Sequence, residues 1–117
     1  LRAIGLGAVD LINIKLMKSG GILNAMKIAE ICESVGMPCQ IGCMSETRIS
    51  IAAALQLAIA APGIKYSDLD GYIFLSGRIA DGLDIKGSEN TISDSPGLGV
   101  SIDREALAKY AIRRHDF

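Results

Sequence analysis

Lys15, Asp68, Asp70 and Glu46 are the residues of this 117-residue chain whose types and spacing could do chemistry. Lys15 closes the run "LINIKL" (11–16), in which strand alternation puts Asn13 and Lys15 on one face and Ile12, Ile14 and Leu16 on the other. If the isoleucines meet packed helices, Lys15 points to the opposite side. There it either has work to do or a partner, or is a lysine snorkelling at a strand edge, and the local residues leave the two readings level. Asp68 and Asp70 form an i,i+2 pair in "YSDLDG". Carboxylates held side by side repel unless a cation sits between them, so the pair suits an ammonium group or a metal ion. A polar turn ahead of "YIFL" is the simpler reading of the same residues. Met44, Ser45 and Glu46 follow the run "CQIGCM" at the same mouth. Glu46 could orient a substrate, although an acid in the first turn of a helix is also explained by the helix dipole.

These positions depend on alternating strands and helices. The run 11–16 reads as a first strand, broken at Ser19-Gly20-Gly21. From Ile22 to Val35, apolar residues fall at helical spacing; Gly36 stands where a C-terminal glycine belongs, and Pro38 forbids continuation. Residues 39–44 read as a second strand. Ser45 is placed to cap an Ala-rich helix that stops at Pro62-Gly63. "DLDGYIFL" (68–75) reads as a third strand, and residues 1–7 as the end of a preceding helix. Strands joined by helical crossovers must run parallel, and parallel β/α folds gather their chemistry at the C-terminal strand ends. The pattern fits an open doubly wound sheet or a sector of a (β/α)₈ barrel. From about Ser76 the glycines multiply, and a short amphipathic helix is expected over 103–113. The change of texture divides the chain into 1–75, three strands with their helices, and 76–117, a tail and terminal helix that reads as an arm packing over something else.

Composition excludes several functions. Thirteen acidic and twelve basic residues give a formal net charge of −1, no footprint for nucleic acid or a membrane surface. There is no Trp and the few aromatics are not interleaved with basic residues, which argues against base stacking. No run approaches the ~18 apolar residues of a membrane span. Cys32, Cys39 and Cys43 are odd in number and far from the single histidine, His115. They read as buried free thiols of a cytoplasmic protein rather than metal ligands. "KSGG" lacks the order of a Walker loop, although the Gly20 and Gly21 N–H groups could receive a small anion. At 117 residues the chain is below half of the ~250 typical of a (β/α)₈ barrel. Leu1 is not a natural start, and the opening reads as the continuation of something longer.

In order along the chain, "INIKLMKSGGI", "QIGCMSETRISIAAALQLA", "DLDGYIFL" and "DSPGLGVSID" resemble the sixth, seventh and eighth barrel strands and closing tail of muconate-lactonising-type enolase-superfamily enzymes. The combination of "KLMKSGG" with Asp-x-Asp resembles most the L-Ala-D/L-Glu type of dipeptide epimerase. Muconate cycloisomerases and o-succinylbenzoate synthases share the scaffold. The resemblance implies an isomerase that removes and returns a proton alpha to a carboxylate, through an enediolate held on Mg²⁺. It implies Lys15 as one acid/base, Asp68 and Asp70 as the pair that binds a substrate α-ammonium, and Met44 and Glu46 as lining of the substrate site. The partners so implied are a small carboxylate or dipeptide and further copies of the protein. The family's metal ligands lie on its third to fifth strands and its opposite-face lysine on the second, none of which these motifs include. This stretch by itself is accordingly expected to be inactive. A competing reading from another class is a non-catalytic, self-associating subdomain with open sheet edges.

Overall fold

The computed structural model describes residues 1–112. After a one-turn helix α1 (Arg2–Gly5) come β1 (Ile12–Lys15), the one-turn α2 (Leu16–Ser19), α3 (Ile22–Ser34), β2 (Cys39–Gly42), α4 (Arg48–Ala60) and β3 (Ile64–Asp68). The three strands form one parallel sheet in the order β1-β2-β3. In register, Lys15 stands beside Gly42 and Gly42 beside Asp68, so the three C-terminal strand ends lie level.

Local chemistry explains the helix boundaries. At the end of α3, Gly36 takes φ +71°, its N–H bonds the Glu33 carbonyl at 3.0 Å and the Met37 N–H bonds the Cys32 carbonyl at 2.8 Å. This is a complete Schellman ending, and it turns the chain toward Pro38 and β2. The next helix departs from expectation. Thr47, not Ser45, is the N-cap residue of α4, and its side chain makes no capping hydrogen bond. Ser45 lies upstream in the loop between β2 and α4.

The core is formed where Ile14, Cys39 and Ile41 of the sheet meet Ala25, Ala29 and Cys32 of α3 and Ile51, Ala54 and Leu57 of α4. Alanine on the facing helices leaves room for the larger strand side chains, the interdigitation that close packing requires. Helix α4 is buried over most of its circumference, from Ile51 to Leu55 and at Leu57. A helix apolar on all sides must be covered on all sides. Here the sheet covers one face and the tail contributes cover to another.

The third strand also differs from the reading of its sequence. It runs Ile64–Asp68, ahead of the expected 68–75, and Gly71–Phe74 forms a short 3₁₀ turn. The apolar run "YIFL" suggested a strand, but Asp70 adopts φ −103°, ψ −1°, which bends the chain off the sheet. Ile73 and Phe74 are exposed as a result.

The tail is a set of short antiparallel pieces and no further β/α repeat. β4 (Ala80–Asp81) pairs with β7 (Ser101–Ile102), and β5 (Leu83–Lys86) pairs with β6 (Glu89–Ile92). The glycine-rich composition had concealed these strands. Leu83 enters the same core as the sheet, and the Arg48 guanidinium donates to its carbonyl at 3.4 Å. α5 (Arg104–Tyr110) starts at Asp103, whose carboxylate accepts the Ala106 N–H at 2.9 Å. The expected helix reached to 113; Arg113, like His115, lies outside the described residues.

Candidate active site at the strand ends

Lys15 is the last residue of β1 and is half-buried. Its Nζ donates to the Cys43 carbonyl, one residue past the end of β2, at 2.7 Å. An ammonium has three donors, so this bond anchors the lysine head and leaves two directions open. Ile14 beside it is buried against the helices, which confirms that the isoleucine and lysine faces are opposite. The open interior-side face also carries Asn13, whose amide oxygen lies against Gly42; a Cβ at Gly42 would come within 2.7 Å of it.

Met44 and Glu46, taken from one short loop, have different surroundings. Met44 is 43% exposed at the mouth of the strand ends. Glu46 is only 4% exposed, and both of its oxygens are engaged. One accepts the Met44 N–H at 2.8 Å and the other accepts the Ser50 hydroxyl. The carboxylate therefore ties the loop to the first turn of α4. Glu46 lies ahead of the Thr47 N-cap and not in the first turn of the helix as expected, so its partners are set by the path of the loop.

Asp68 and Asp70 both face solvent, separated by Leu69, which is 3% exposed and joins the core. Both carboxylates are accessible, but only Asp68 belongs to a strand, and the αR backbone of Asp70 takes the pair out of the regular i,i+2 geometry of an extended segment. Gly71 next to them is a requirement of space. A Cβ there would overlap the Met44 carbonyl oxygen and lie 3.0 Å from Cys43 Sγ.

Cys43 and Gly71 were not singled out by type or spacing, yet they connect the site. The Cys43 thiol donates to the Asp68 carbonyl at 3.3 Å and accepts the Gly71 N–H at 3.2 Å. Burial pushes the pKa of this thiol up; the Gly71 N–H works against that, and the charges of Asp70, Asp68 and Glu46 add to it. The charges of three carboxylates are thus felt at one thiol, on a residue whose own carbonyl receives the lysine. Deeper in the sheet, Cys39 is pushed up to about 12 by burial first and by its contact with Cys32 second. All three cysteines are free and buried, as expected.

Among the described residues no group of three or more His, Cys, Asp or Glu side chains could hold a metal ion. Asp68 and Asp70 are a pair without a third ligand, so these residues do not by themselves fit a magnesium site. No helix among the described residues is long and apolar enough to cross a membrane.

A parallel sheet with level strand ends, a lysine on the first and an acid pair after the third define a sector of a (β/α) barrel with its site at the C-terminal mouth. The family model for enolase C-terminal domain-like proteins matches residues 1–106. The chain belongs to that family. It is 45% identical over 100 residues to the L-Ala-D/L-Glu epimerase of Clostridium acetobutylicum, covering 85% of this chain and 28% of that protein. It is 45% identical over 94 residues to the L-Lys-D/L-Arg epimerase of Methylococcus capsulatus, covering 80% of this chain and 26% of the relative. Among solved structures, the substrate-liganded L-Ala-D/L-Glu epimerase of Bacillus subtilis superposes with a TM-score of 0.80 at 37% identity, over 85% of this chain and 28% of that one. The N-succinyl Arg/Lys racemase of Bacillus cereus superposes with a TM-score of 0.87 at 31% identity, over 96% and 30%. The chain thus spans under a third of the length of the relatives it matches. The Methylococcus capsulatus dipeptide epimerase has been solved with Mg and the dipeptide L-Arg-D-Lys.

Proposed function

We propose that these residues serve in a dipeptide epimerase, an isomerase that removes and returns the proton alpha to a carboxylate. The observation that carries the reading is Lys15 at the end of β1, anchored by one N–H to the Cys43 carbonyl. A neutral amine keeps that anchoring donor while its lone pair is free to take a proton, and the ammonium then returns it along the same direction. Asp68 and Asp70 bind the α-ammonium of the dipeptide, whose positive charge relieves the repulsion between them. Met44 lines the substrate site. Glu46 acts on substrate through Met44, by holding its N–H and with it the shape of the loop.

Epimerisation needs a second acid/base on the opposite face of the substrate, and among the described residues Lys15 is the one candidate at the strand ends. The likeness to magnesium-bearing epimerases supports a metal in the complete enzyme, with ligands that are not among the residues described here. The dipeptide reading ranks above a muconate cycloisomerase or an o-succinylbenzoate synthase because of Asp68 and Asp70, which suit an ammonium-bearing substrate. Three unpaired buried thiols favour the cytoplasm.

The test is α-proton exchange of L-Ala-L-Glu in D₂O with Mg²⁺, followed by NMR, beside an intact mass of the assayed species. A species larger than 12.3 kDa with exchange that Lys15→Ala abolishes is the expected result. No exchange from that species with any dipeptide would overturn the epimerase reading. Steady exchange by a pure 12.3 kDa species would overturn the need for segments beyond this chain.

A second reading concerns the 117 residues by themselves, as a self-associating subdomain. It is favoured by β1 and β3, which are both edge strands with no partner on their outer sides among the described residues.

A further inference from the structure

Cys43 has no part in the proton transfer proposed above, yet its backbone carbonyl and its thiol contact the segments that carry Lys15 and the acid pair. The residue's carbonyl takes the Lys15 Nζ at 2.7 Å. Its sulfur donates to the Asp68 carbonyl at 3.3 Å and accepts the Gly71 N–H at 3.2 Å, so it grips the Asp68–Asp70 segment at both ends. The carboxylates themselves have no such restraint. Both aspartates are exposed, and among the described residues neither forms a salt bridge or a side-chain hydrogen bond. Their placement is therefore set by the backbone that carries them, and that backbone is held by Cys43.

Sulfur suits this place. Contacts of 3.2 and 3.3 Å are longer than the usual N–H···O or O–H···O hydrogen bond, and a thiol can both donate and accept. The space is also closely filled. Cys43 is 9% exposed, and a Cβ at Gly71 would lie 3.0 Å from its sulfur. Burial and the surrounding carboxylates keep the thiol protonated, which preserves it as the donor to Asp68.

We propose that Cys43 is a positioning residue: its thiol fixes where the Asp68–Asp70 carboxylates stand relative to Lys15, and so where a substrate ammonium sits relative to the acid/base. The functional half of this inference rests on the epimerase reading. The structural half does not, and the experiment addresses it without substrate.

Cys43→Ala and Cys43→Ser are made in the chain. Each is followed by amide hydrogen exchange, by the ¹³C carboxyl shifts of Asp68 and Asp70, and by the infrared S–H band. In the parent sequence, an S–H band lowered in frequency by its bond to a carbonyl should vanish in either variant. Cys43→Ala should speed Gly71 exchange at least about tenfold and move both carboxyl resonances, with the Ile14 and Ile41 amides unchanged. That factor corresponds to about 1.4 kcal/mol of local protection. Cys43→Ser, which donates and accepts over a shorter bond, should restore part of the protection and give intermediate carboxyl shifts. Unchanged Gly71 exchange and unchanged carboxyl shifts in Cys43→Ala would overturn the proposal. If Cys43→Ala loses protection throughout the core, Cys43→Ser decides by its carboxyl shifts, displaced in support and unaltered against. Loss of the fold in both variants would make Cys43 a core residue only and overturn the role. These readouts involve no turnover, so they can fail while the Lys15 exchange result stands, and the reverse.

Discussion

Lys15 and Gly71 mark two ways in which one residue can matter here, by chemistry and by space. A side chain that moves a proton in the rate-limiting step contributes typically ~10²–10⁴-fold. Lys15→Ala in the active species should therefore lower α-proton exchange by that factor while the dissociation constant of the dipeptide changes little. Equal loss of binding would point to a structural lysine instead. The acid pair should behave in the opposite sense. Asp68→Asn and Asp70→Asn should weaken binding of a free dipeptide more than that of the same dipeptide acetylated on its amine. Equal weakening of both ligands would count against ammonium recognition. Gly71→Ala tests space alone, since the added methyl meets the Met44 carbonyl. Overpacking of this kind costs about 1–3 kcal/mol, to be read from urea denaturation.

At the scale of elements, the packing of β2 between α3 and α4 governs stability. Ile41 is fully buried at its centre, and Ile41→Ala should cost about 2–5 kcal/mol in the same denaturation experiment. The Cys39 thiol one turn of the pleat away makes that packing pH-sensitive. Unfolded, it gives up its proton near the ordinary value of 9.0; folded, burial and Cys32 hold the proton to about 12. Unfolding therefore releases a proton between those limits, and stability falls as pH rises through them. The slope from this one group is about 1.4 kcal/mol per pH unit. Denaturation midpoints measured from pH 8 to 11 should decline for the parent sequence and decline less for Cys39→Ala. Parallel curves would remove Cys39 as the cause.

For the whole molecule, the open sheet is the dominant feature. A radius of gyration of 15.7 Å exceeds the about 13 Å of a compact domain of ~100 residues. Two strand edges unpaired among the described residues and exposed apolar side chains such as Met17, Tyr66 and Phe74 accompany that extended form. Light scattering of the purified chain should show association that grows with concentration, and edge Lys or Pro substitutions in β1 or β3 should reduce it. A monodisperse monomer across a hundredfold concentration range would exclude edge pairing.

Much of this was legible in the residues. The alternation of "LINIKL", the helical spacing from Ile22 onward and the Gly36–Pro38 stop depend on contacts within a few residues, and local contacts are written in local sequence. They determined the β/α order, the direction in which Lys15 points and the buried state of the thiols. The motifs carried the family resemblance as well. Tertiary structure decided what lay between distant segments. The end of β3 and the bend at Asp70 are set alongside the Gly71 approach to Cys43 and Met44, residues 27 or more positions earlier. Glu46 turned inward because the Met44 N–H and the Ser50 hydroxyl were there to satisfy it. Cys43 became the centre of the site because a parallel sheet brings three strand ends level, a juxtaposition that no single stretch of sequence contains.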